Sequence, residues 1–209
     1  MNGFFVTGTD TNVGKTVLSA LLVAALDAVY WKPIQTGAGE SRDRSFVRLW
    51  AAPPEEQLLP ECYCFELPGS PHLAAREAGV RIAVDSIRLP AAPAGRPWIV
   101  EGAGGVMVPL NERDLMLDLM RHLGLPVVVA ARTSLGTINH TLLTLSALRN
   151  TQIEVRGVVL IGEENLENRR AIEHYGGVRV IGHIPFLEKM SRAALLDVFV
   201  KRFDQNAFY

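Results

Sequence analysis

The stretch Gly8-Thr9-Asp10-Thr11-Asn12-Val13-Gly14-Lys15-Thr16 decides the fold of this 209-residue chain. It lies between an apolar run, Phe4-Phe5-Val6, and a helical pattern that continues to Leu26. A glycine-rich loop that joins a strand to a helix and ends in Gly-Lys-Thr is typical of a phosphate loop, because N–H groups at a helix N-terminus bind phosphate oxygens. Lys15 would contact the outer phosphates, and the Thr16 hydroxyl would bind Mg²⁺. The segment therefore predicts a site for a nucleoside triphosphate and magnesium.

The spacing of this loop departs from the common form. Five residues separate Gly8 from Gly14, whereas the usual pattern has four, and Thr9 stands where the first glycine is expected. The alternative interpretation is a glycine-rich turn at the start of a helix, with Lys15 only solvated. The strand before the loop and the Gly-Lys-Thr at its end favour the phosphate loop.

Composition predicts a globular protein with small-molecule ligands. Hydrophobic residues make up 48% of the chain, charged residues make up 21%, and the formal net charge is −1. No basic stripe or acidic tail indicates a nucleic-acid or membrane partner. No apolar stretch approaches the roughly 18 residues of a membrane span, and the N-terminus lacks the features of a secretory signal. We therefore expect a cytoplasmic protein. Cys62 and Cys64 form a lone C-x-C pair without the further ligands of a zinc site.

Short apolar runs alternate with helical patterns along most of the chain. Because these runs are continuous, both faces of the sheet are expected to be covered. Strand–helix alternation favours a mostly parallel sheet with helices on both faces. We predict one α/β domain over residues 1–209, similar to P-loop NTPases, in which residues 37–97 are the least regular part. The predicted strands are 4–6, 29–31, 98–100, 125–130, 157–161 and 178–181, and the predicted helices are 16–26, 114–123, 137–148, 166–175 and 193–203.

Clusters of polar residues follow the apolar runs. Ligands of open parallel sheets bind at the carboxyl ends of the strands. We therefore expect the clusters, which are far apart in the chain, to meet at one edge of the sheet and form an active site. They cover residues 7–16, 32–37, 101–105, 132–139 and 184–187.

Three charged residues are candidates for the phosphate chemistry. Magnesium bound to a triphosphate takes one or two protein carboxylates, and the candidates are Glu101, which follows a strand, and Asp43, near the start of a predicted helix. The alternatives are a solvated acid for Glu101 and an acid favoured by the helix dipole for Asp43. Lys32 ends a strand and could stabilise a transferring phosphoryl group. Its pattern alone favours a surface lysine.

Five motifs together resemble those of the dethiobiotin synthetase family, whose members close the ureido ring in biotin synthesis. They occur in the order of the family and span nearly the whole chain, and the first motif explains the additional residue of the phosphate loop. The motifs are Phe5-Val6-Thr7-Gly8-Thr9-Asp10-Thr11 with Val13-Gly14-Lys15-Thr16, Lys32-Pro33-Ile34-Gln35-Thr36-Gly37, Glu101-Gly102-Ala103-Gly104-Gly105, Leu135-Gly136-Thr137-Ile138-Asn139-His140 and Gly182-His183-Ile184-Pro185-Phe186-Leu187.

The resemblance implies a reaction of 7,8-diaminopelargonate, CO₂ and ATP, with Mg²⁺ as cofactor. It also implies a carbamate, a carbamic–phosphoric anhydride and a homodimer. The implied catalytic residues are Lys15, Lys32 and Thr11, and the implied metal ligands are Thr16, Asp43 and Glu101. The implied substrate residues are Thr36, Gly136, Thr137, Ile138 and Asn139. The implied nucleotide contacts are Asn12, Val13, Gly14, Lys15, Thr16, Val17, Asp43, Glu101, Gly102, Ala103, Gly104, Gly162, Pro185, Phe186 and Leu187.

One departure from the family concerns base recognition. The family often carries an asparagine that binds adenine after the fifth strand, where this chain has Ile161-Gly162. An aliphatic side chain cannot form paired hydrogen bonds with a base edge. Selectivity for ATP is therefore open, and backbone groups are the alternative source of contacts with the base. We predict activity with other triphosphates.

Three alternative functions share parts of this pattern. A partitioning-type ATPase resembles the chain in fold but carries an additional lysine early in the loop, where Asp10 stands here. An amidating synthetase of the same fold needs a glutaminase domain, which we do not expect within 209 residues. A non-catalytic nucleotide-binding module would lose nothing measurable when Lys32 is replaced by alanine.

Overall fold

The fold is described from a computed structural model, over residues 2–39, 42–91 and 95–209. The strands are β1 (Gly3–Gly8), β2 (Val29–Trp31), β3 (Ile34–Gln35), β4 (Tyr63–Cys64), β5 (Trp98–Gly105), β6 (Val127–Arg132), β7 (Val155–Ile161) and β8 (Val180–Ile184). The helices are α1 (Lys15–Leu26), α2 (Asp43–Ala51), α3 (Pro71–Glu77), α4 (Met116–Leu123), α5 (Thr137–Asn150), α6 (Leu166–Gly176) and α7 (Arg192–Arg202).

A six-stranded sheet in the order β2-β5-β1-β6-β7-β8 forms the centre of the molecule, and all its pairings are parallel. Helices α1, α2 and α7 pack on one face, where their apolar side chains join one core. Helices α3, α4, α5 and α6 cover the other face and enclose a second core. The predicted α/β fold, with helices on both faces of a parallel sheet, is confirmed.

Helix α1 is buried along most of its length, and this fixes the loop that precedes it. It packs against the sheet, α2 and α7, and its residues 18–24 are all buried. Burial of a leucine or valine side chain contributes about 1.5–3 kcal/mol, so α1 is held strongly. The loop at its N-terminus therefore starts from a rigid support.

Several strands are longer than their apolar runs. Glu101 lies inside β5, where its backbone pairs with Val6, and the ladder continues until Gly8 lies opposite Gly105. Backbone hydrogen bonding does not depend on side-chain polarity, so the ladder extends through polar residues and glycines. The polar clusters therefore begin within the carboxyl ends of the strands and not after them.

The least regular part of the sequence, residues 37–97, holds helices α2 and α3 and the short strand β4. Strands β3 and β4 pair in parallel as a separate two-stranded sheet, with α2 between them in the chain and α3 after β4. These strands have two residues each, which is too short for a periodic pattern to show. Within the described residues, the helices are all too short or too polar to cross a membrane.

Candidate active site

The phosphate loop connects β1 directly to α1. Gly14 has φ of 99°, a backbone conformation that favours glycine, and a Cβ there would lie 2.8 Å from Ile161 Cδ1, which would have to shift. Asn12 is also left-handed, with φ of 54°, a conformation that asparagine adopts more readily than most residues. Residues 10–12 are exposed, so the outer surface of the loop is accessible to a ligand.

Thr16, Lys32, Asp43 and Glu101 meet at the carboxyl edge of the sheet. The Thr16 hydroxyl lies 2.6 Å from Asp43 Oδ1 and 2.9 Å from Glu101 Oε1. Lys32 Nζ donates to Asp43 Oδ2 at 2.5 Å and to Glu101 Oε1 at 3.2 Å. Lys32 is 6% exposed and Glu101 is 1% exposed. This burial excludes the alternative interpretations of Lys32 as a surface lysine and of Glu101 as a solvated acid. We call these four residues the metal-side cluster.

Opposite charges compensate the burial of Lys32. Burial alone would lower the pKa of this lysine, but the Glu101 and Asp43 carboxylates together outweigh burial and raise it. Asp43 responds in the opposite direction: burial would raise its pKa, but Lys32 and the hydrogen bond from Thr16 lower it. The raised pKa of Lys32 and the lowered pKa of Asp43 therefore favour a lysine cation beside an aspartate anion at neutral pH.

Lys15 is buried to the same extent but has a different environment. Its Nζ donates to the backbone oxygen of Asp10 at 2.9 Å, and among the described residues it forms no ion pair within 4.0 Å. Burial lowers the pKa of Lys15 to about 8, although the more distant charge of Glu101 raises it in part. A bound polyanion would supply the negative charge that this lysine lacks, which suits a phosphate-binding role.

Two residues that the sequence did not single out hold the carboxylates in place. The Tyr30 hydroxyl, fully buried on β2, donates to Glu101 Oε2 at 3.1 Å. Gln35 Oε1 accepts the backbone N–H of Asp43 at 3.2 Å and so orients the start of α2. A tyrosine in an apolar strand is a signal for such a contact, because a buried hydroxyl needs a hydrogen-bond partner.

The donor set of the metal-side cluster fits Mg²⁺. Thr16, Asp43 and Glu101 present a hydroxyl and two carboxylates, the hard oxygen ligands that Mg²⁺ prefers alongside phosphate and water. The Thr16 hydroxyl has one proton but two close carboxylate oxygens. The hydroxyl can donate its proton to only one of them, so the other contact brings two acceptor oxygens together. A bound cation would remove the repulsion between these oxygens. The residues suit magnesium, and their role as ligands stays a prediction.

The acidic glycine motif brings backbone close to the phosphate loop. A Cβ on Gly102 would lie 2.9 Å from Phe5 Cε1, and Gly104 has φ of 68°, so neither position accepts a side chain without strain. Ala103 is buried between them. Thr11, an implied catalytic residue, is exposed, and Thr36, an implied substrate residue, is half-buried, so both are accessible to a ligand.

A cavity of about 710 Å³ extends from the phosphate loop toward the carboxyl ends of β7 and β8. The side chain of Ile161 faces Gly14, and Phe186 is 78% exposed, so the cavity is open and offers apolar contact beside the polar residues that also line it. The predicted nucleotide residues that line it are Asn12, Val13, Gly14, Val17, Gly162, Pro185, Phe186 and Leu187.

The backbone groups of Gly162, in the stretch where the family often carries the asparagine that binds adenine, already form hydrogen bonds within the protein. The Gly162 N–H donates to Ile184 O at 2.9 Å, and the Gly162 oxygen lies 2.7 Å from Nε2 of the buried His183. The N–H is therefore not free to bind a base edge, and the oxygen keeps only one lone pair. The backbone of Gly162 therefore has little capacity left to form hydrogen bonds with a base in place of the asparagine.

The predicted substrate segment forms the start of α5. Gly136 caps this helix with φ of 92°, and Asn139 is exposed. Thr137 points inward: its hydroxyl donates to Arg132 O at 2.5 Å and its N–H to Ser134 O at 3.2 Å. Ile138 packs against the core. Gly136 and Asn139 are thus the members of this segment whose surfaces are open to a ligand.

Comparison with known proteins agrees with the resemblance carried by the motifs. A family described as "AAA domain" matches residues 2–194. The chain is 50% identical over 195 residues to the ATP-dependent dethiobiotin synthetase BioD of Paramagnetospirillum magneticum, with 93% of each chain covered. Proteins of the same name match from Rhodopseudomonas palustris, at 45% identity over 97% of this chain and 95% of the relative, and from Agrobacterium fabrum, at 46% over 98% and 96%.

A solved structure supports the fold. The ParA family ATPase from Chlorobium tepidum aligns with a TM-score of 0.52 at 13% identity, covering 95% of this chain and 90% of that one. At this identity the likeness concerns the fold alone, whereas the dethiobiotin synthetases match in sequence over nearly the whole chain. The chain therefore belongs to the ATP-dependent dethiobiotin synthetase family and is an ATP-dependent ligase.

Proposed function

We propose that this chain converts 7,8-diaminopelargonate, CO₂ and ATP into dethiobiotin, ADP and phosphate, with Mg²⁺ held by Thr16, Asp43 and Glu101. The observation that carries the proposal is the metal-side cluster, in which Lys32 Nζ lies 2.5 Å and 3.2 Å from two carboxylates that also contact Thr16. The family membership supports the product, and the cluster supports phosphoryl transfer as the step that drives its formation.

The reaction has three steps. One substrate amine adds to CO₂ and loses a proton, which gives a carbamate. A carbamate oxygen then attacks the γ-phosphorus and displaces ADP, which gives a carbamic–phosphoric anhydride. Finally the second amine attacks the carbonyl carbon, loses its proton and expels phosphate, so that the ureido ring closes. None of these steps needs a protein nucleophile.

The protein contributes position and charge. Lys15, at the start of α1, binds the outer phosphates, and Lys32 stabilises the charge that develops on the transferring phosphoryl group. Thr11 and Thr36 hold the carbamate in line for attack, a positioning role that can supply much of the rate enhancement. Thr16, Asp43 and Glu101 would hold Mg²⁺, which would neutralise further charge on the phosphates.

The substrate carboxylate would bind at the start of α5, between Gly136 and Asn139, across a homodimer. A helix N-terminus attracts an anion, and the exposure of Gly136 and Asn139 supports this placement. Leu135 is fully exposed beside it and Leu143 is 62% exposed on the same helix, which supports a partner subunit over this face. The proposed reaction takes place in the cytoplasm.

Product formation tests the proposed activity. Purified protein is incubated with diaminopelargonate, bicarbonate, Mg²⁺ and ATP, and dethiobiotin is measured by mass spectrometry against a reaction without substrate. Dethiobiotin with equimolar ADP is expected. ATP hydrolysis that is independent of substrate and rises with a partner protein would instead indicate a partitioning-type ATPase.

Subunit mixing tests the shared site. We expect Lys32→Ala and Asn139→Ala proteins each to have low activity, and a mixture of the two to regain part of it, since one site of a mixed dimer carries both native residues. Light scattering gives the oligomeric state of each sample. A monomer that is fully active would contradict the dimeric site.

A further inference from the structure

Arg132 is a cation on the wall of the nucleotide cavity that the proposed reaction does not use. It ends β6, the strand next to β1 in the sheet, and lines the cavity together with Asn12 and Gly14. Among the described residues that line this cavity it is the only one with a positive charge. Its side chain is 44% exposed, so it has room to move.

Asp10 of the phosphate loop is the point at which two cations meet. Its carboxylate Oδ2 pairs with Arg132 Nη2 at 3.2 Å, and its backbone oxygen accepts Lys15 Nζ at 2.9 Å. The other carboxylate oxygen accepts the N–H of Thr11 at 2.7 Å. Arg132 and Lys15, the residue expected at the outer phosphates, therefore contact the same loop residue, one through its carboxylate and the other through its backbone oxygen.

The charges of this arrangement favour an exchange of partners. Asp10 places a negative charge on a loop that receives a polyanion, which repels the ligand unless a cation stays close. The Asp10–Arg132 pair is half-exposed on both sides, and exposed ion pairs stabilise little. A guanidinium binds phosphate through two parallel, charge-assisted hydrogen bonds, which are stronger.

We propose that Arg132 is a phosphate-binding residue, held by Asp10 in the free protein and transferred to an outer phosphate when nucleotide binds. The inference rests on the nucleotide site of the proposed function. It differs from a purely neutralising role, in which Arg132 stays on Asp10 and never contacts the ligand.

Calorimetric titration with Mg·ATP and Mg·ADP separates the two roles. We expect Arg132→Ala to weaken ATP binding about tenfold, as for loss of a charged hydrogen bond, and ADP binding less. The ATP affinity of Arg132→Lys should fall between those of the native protein and Arg132→Ala, since lysine keeps the positive charge but cannot form the two parallel hydrogen bonds of a guanidinium. The matched control is Arg121→Ala, which removes an exposed arginine of α4 that pairs with Asp118 at 2.9 Å and should leave both affinities unchanged.

The Asp10→Asn variant, which keeps an acceptor for the Thr11 N–H, completes a double-mutant cycle. If Arg132 binds phosphate, the Asp10→Asn/Arg132→Ala protein binds ATP about tenfold more weakly than Asp10→Asn alone. Equal affinities of these two proteins would overturn the inference and leave the nucleotide site standing. Absence of ATP binding by the native protein would overturn both. Thermal unfolding of each variant establishes that it is folded.

Discussion

At the phosphate end of the nucleotide cleft, Lys32 and Glu101 are buried and bound to each other and to their neighbours. At the base end, Phe186 is 78% exposed and Ile161 offers only aliphatic contact. The first region is specified by charge and by hydrogen bonds with fixed partners, so few substitutions are compatible with it. The second region is more exposed and combines apolar side chains with polar ones such as Glu163 and Asn165. We therefore expect changes at the phosphate end to affect chemistry strongly and changes at the base end to affect mainly nucleotide choice.

The largest effect is expected from Lys32→Ala. Loss of a preorganised cation at the transferring phosphoryl group should lower kcat about 10²–10³-fold, whereas the Kd for ATP should change much less, since Lys15 and the loop remain. Single-turnover formation of dethiobiotin and equilibrium binding measure the two quantities. The control is Lys201→Ala, which removes an exposed lysine paired with Asp197 on α7. A native kcat in the Lys32 variant would contradict the proposed role of this lysine in phosphoryl transfer.

Tyr30→Phe tests whether metal binding depends on the hydrogen bond that orients Glu101 within the metal-side cluster. The substitution removes only the hydroxyl that donates to Glu101 Oε2, so the carboxylate loses its orientation but not its charge. Loss of a partner that orients a metal ligand typically weakens metal binding by about tenfold or more. We expect a higher Mg²⁺ requirement that saturating Mg²⁺ corrects. An unchanged Mg²⁺ dependence would show that Glu101 does not need this support.

The pH dependence of binding distinguishes the two lysines. Lys32 stays protonated because its pKa is raised, whereas the pKa of Lys15 is lowered to about 8. Above pH 8 the free protein must take up a proton at Lys15 to bind phosphate, so the Kd for ATP should rise by up to tenfold per pH unit. Below pH 8 this dependence should vanish. Titration of a Lys15→Met variant should show no such rise, and a parallel rise in both proteins would assign the effect to another group.

The smallest effect is expected at the base end. The native protein should use GTP, CTP and UTP at rates within about tenfold of ATP, because Ile161 supplies no hydrogen bond that discriminates among bases. Ile161→Asn should shift the ratio several-fold toward ATP, while Ile161→Val serves as the aliphatic control. Initial rates in a nucleotide panel measure the ratios. Strict dependence on ATP in the native protein would contradict this description of the cavity.

Sequence patterns predicted that residues from distant parts of the chain meet at one sheet edge, because Lys32 and Glu101 lie at the carboxyl side of parallel strands. The order of the sheet then brings Lys32, Asp43 and Glu101 to Thr16, although they are 11 to 85 residues apart in the chain. Residue types with a strong chemical signature mark this region, and burial confirms where Lys32 and Glu101 lie.

Contacts made by ordinary residues could not be predicted in this way. Tyr30 read as part of an apolar strand, and the pairing of Arg132 with Asp10 joins positions 122 residues apart through exposed side chains. The family resemblance implied that Thr137 contacts the substrate, but the turn before α5 directs its hydroxyl to the backbone oxygen of Arg132. The outward or inward direction of a side chain in a turn follows from backbone geometry that a linear pattern does not contain.

The central claim is that a carbamate oxygen attacks the γ-phosphorus of ATP beside Lys15, Lys32 and the metal-side cluster. The most direct measurement uses freshly dissolved ¹⁸O-bicarbonate in ordinary water, with short reaction times and mass spectrometry of both products. The account predicts one ¹⁸O atom in the released phosphate and one in the ureido carbonyl of dethiobiotin. Unlabelled phosphate formed together with dethiobiotin would contradict it, because the phosphoryl group would then have been transferred to an acceptor other than the carbamate.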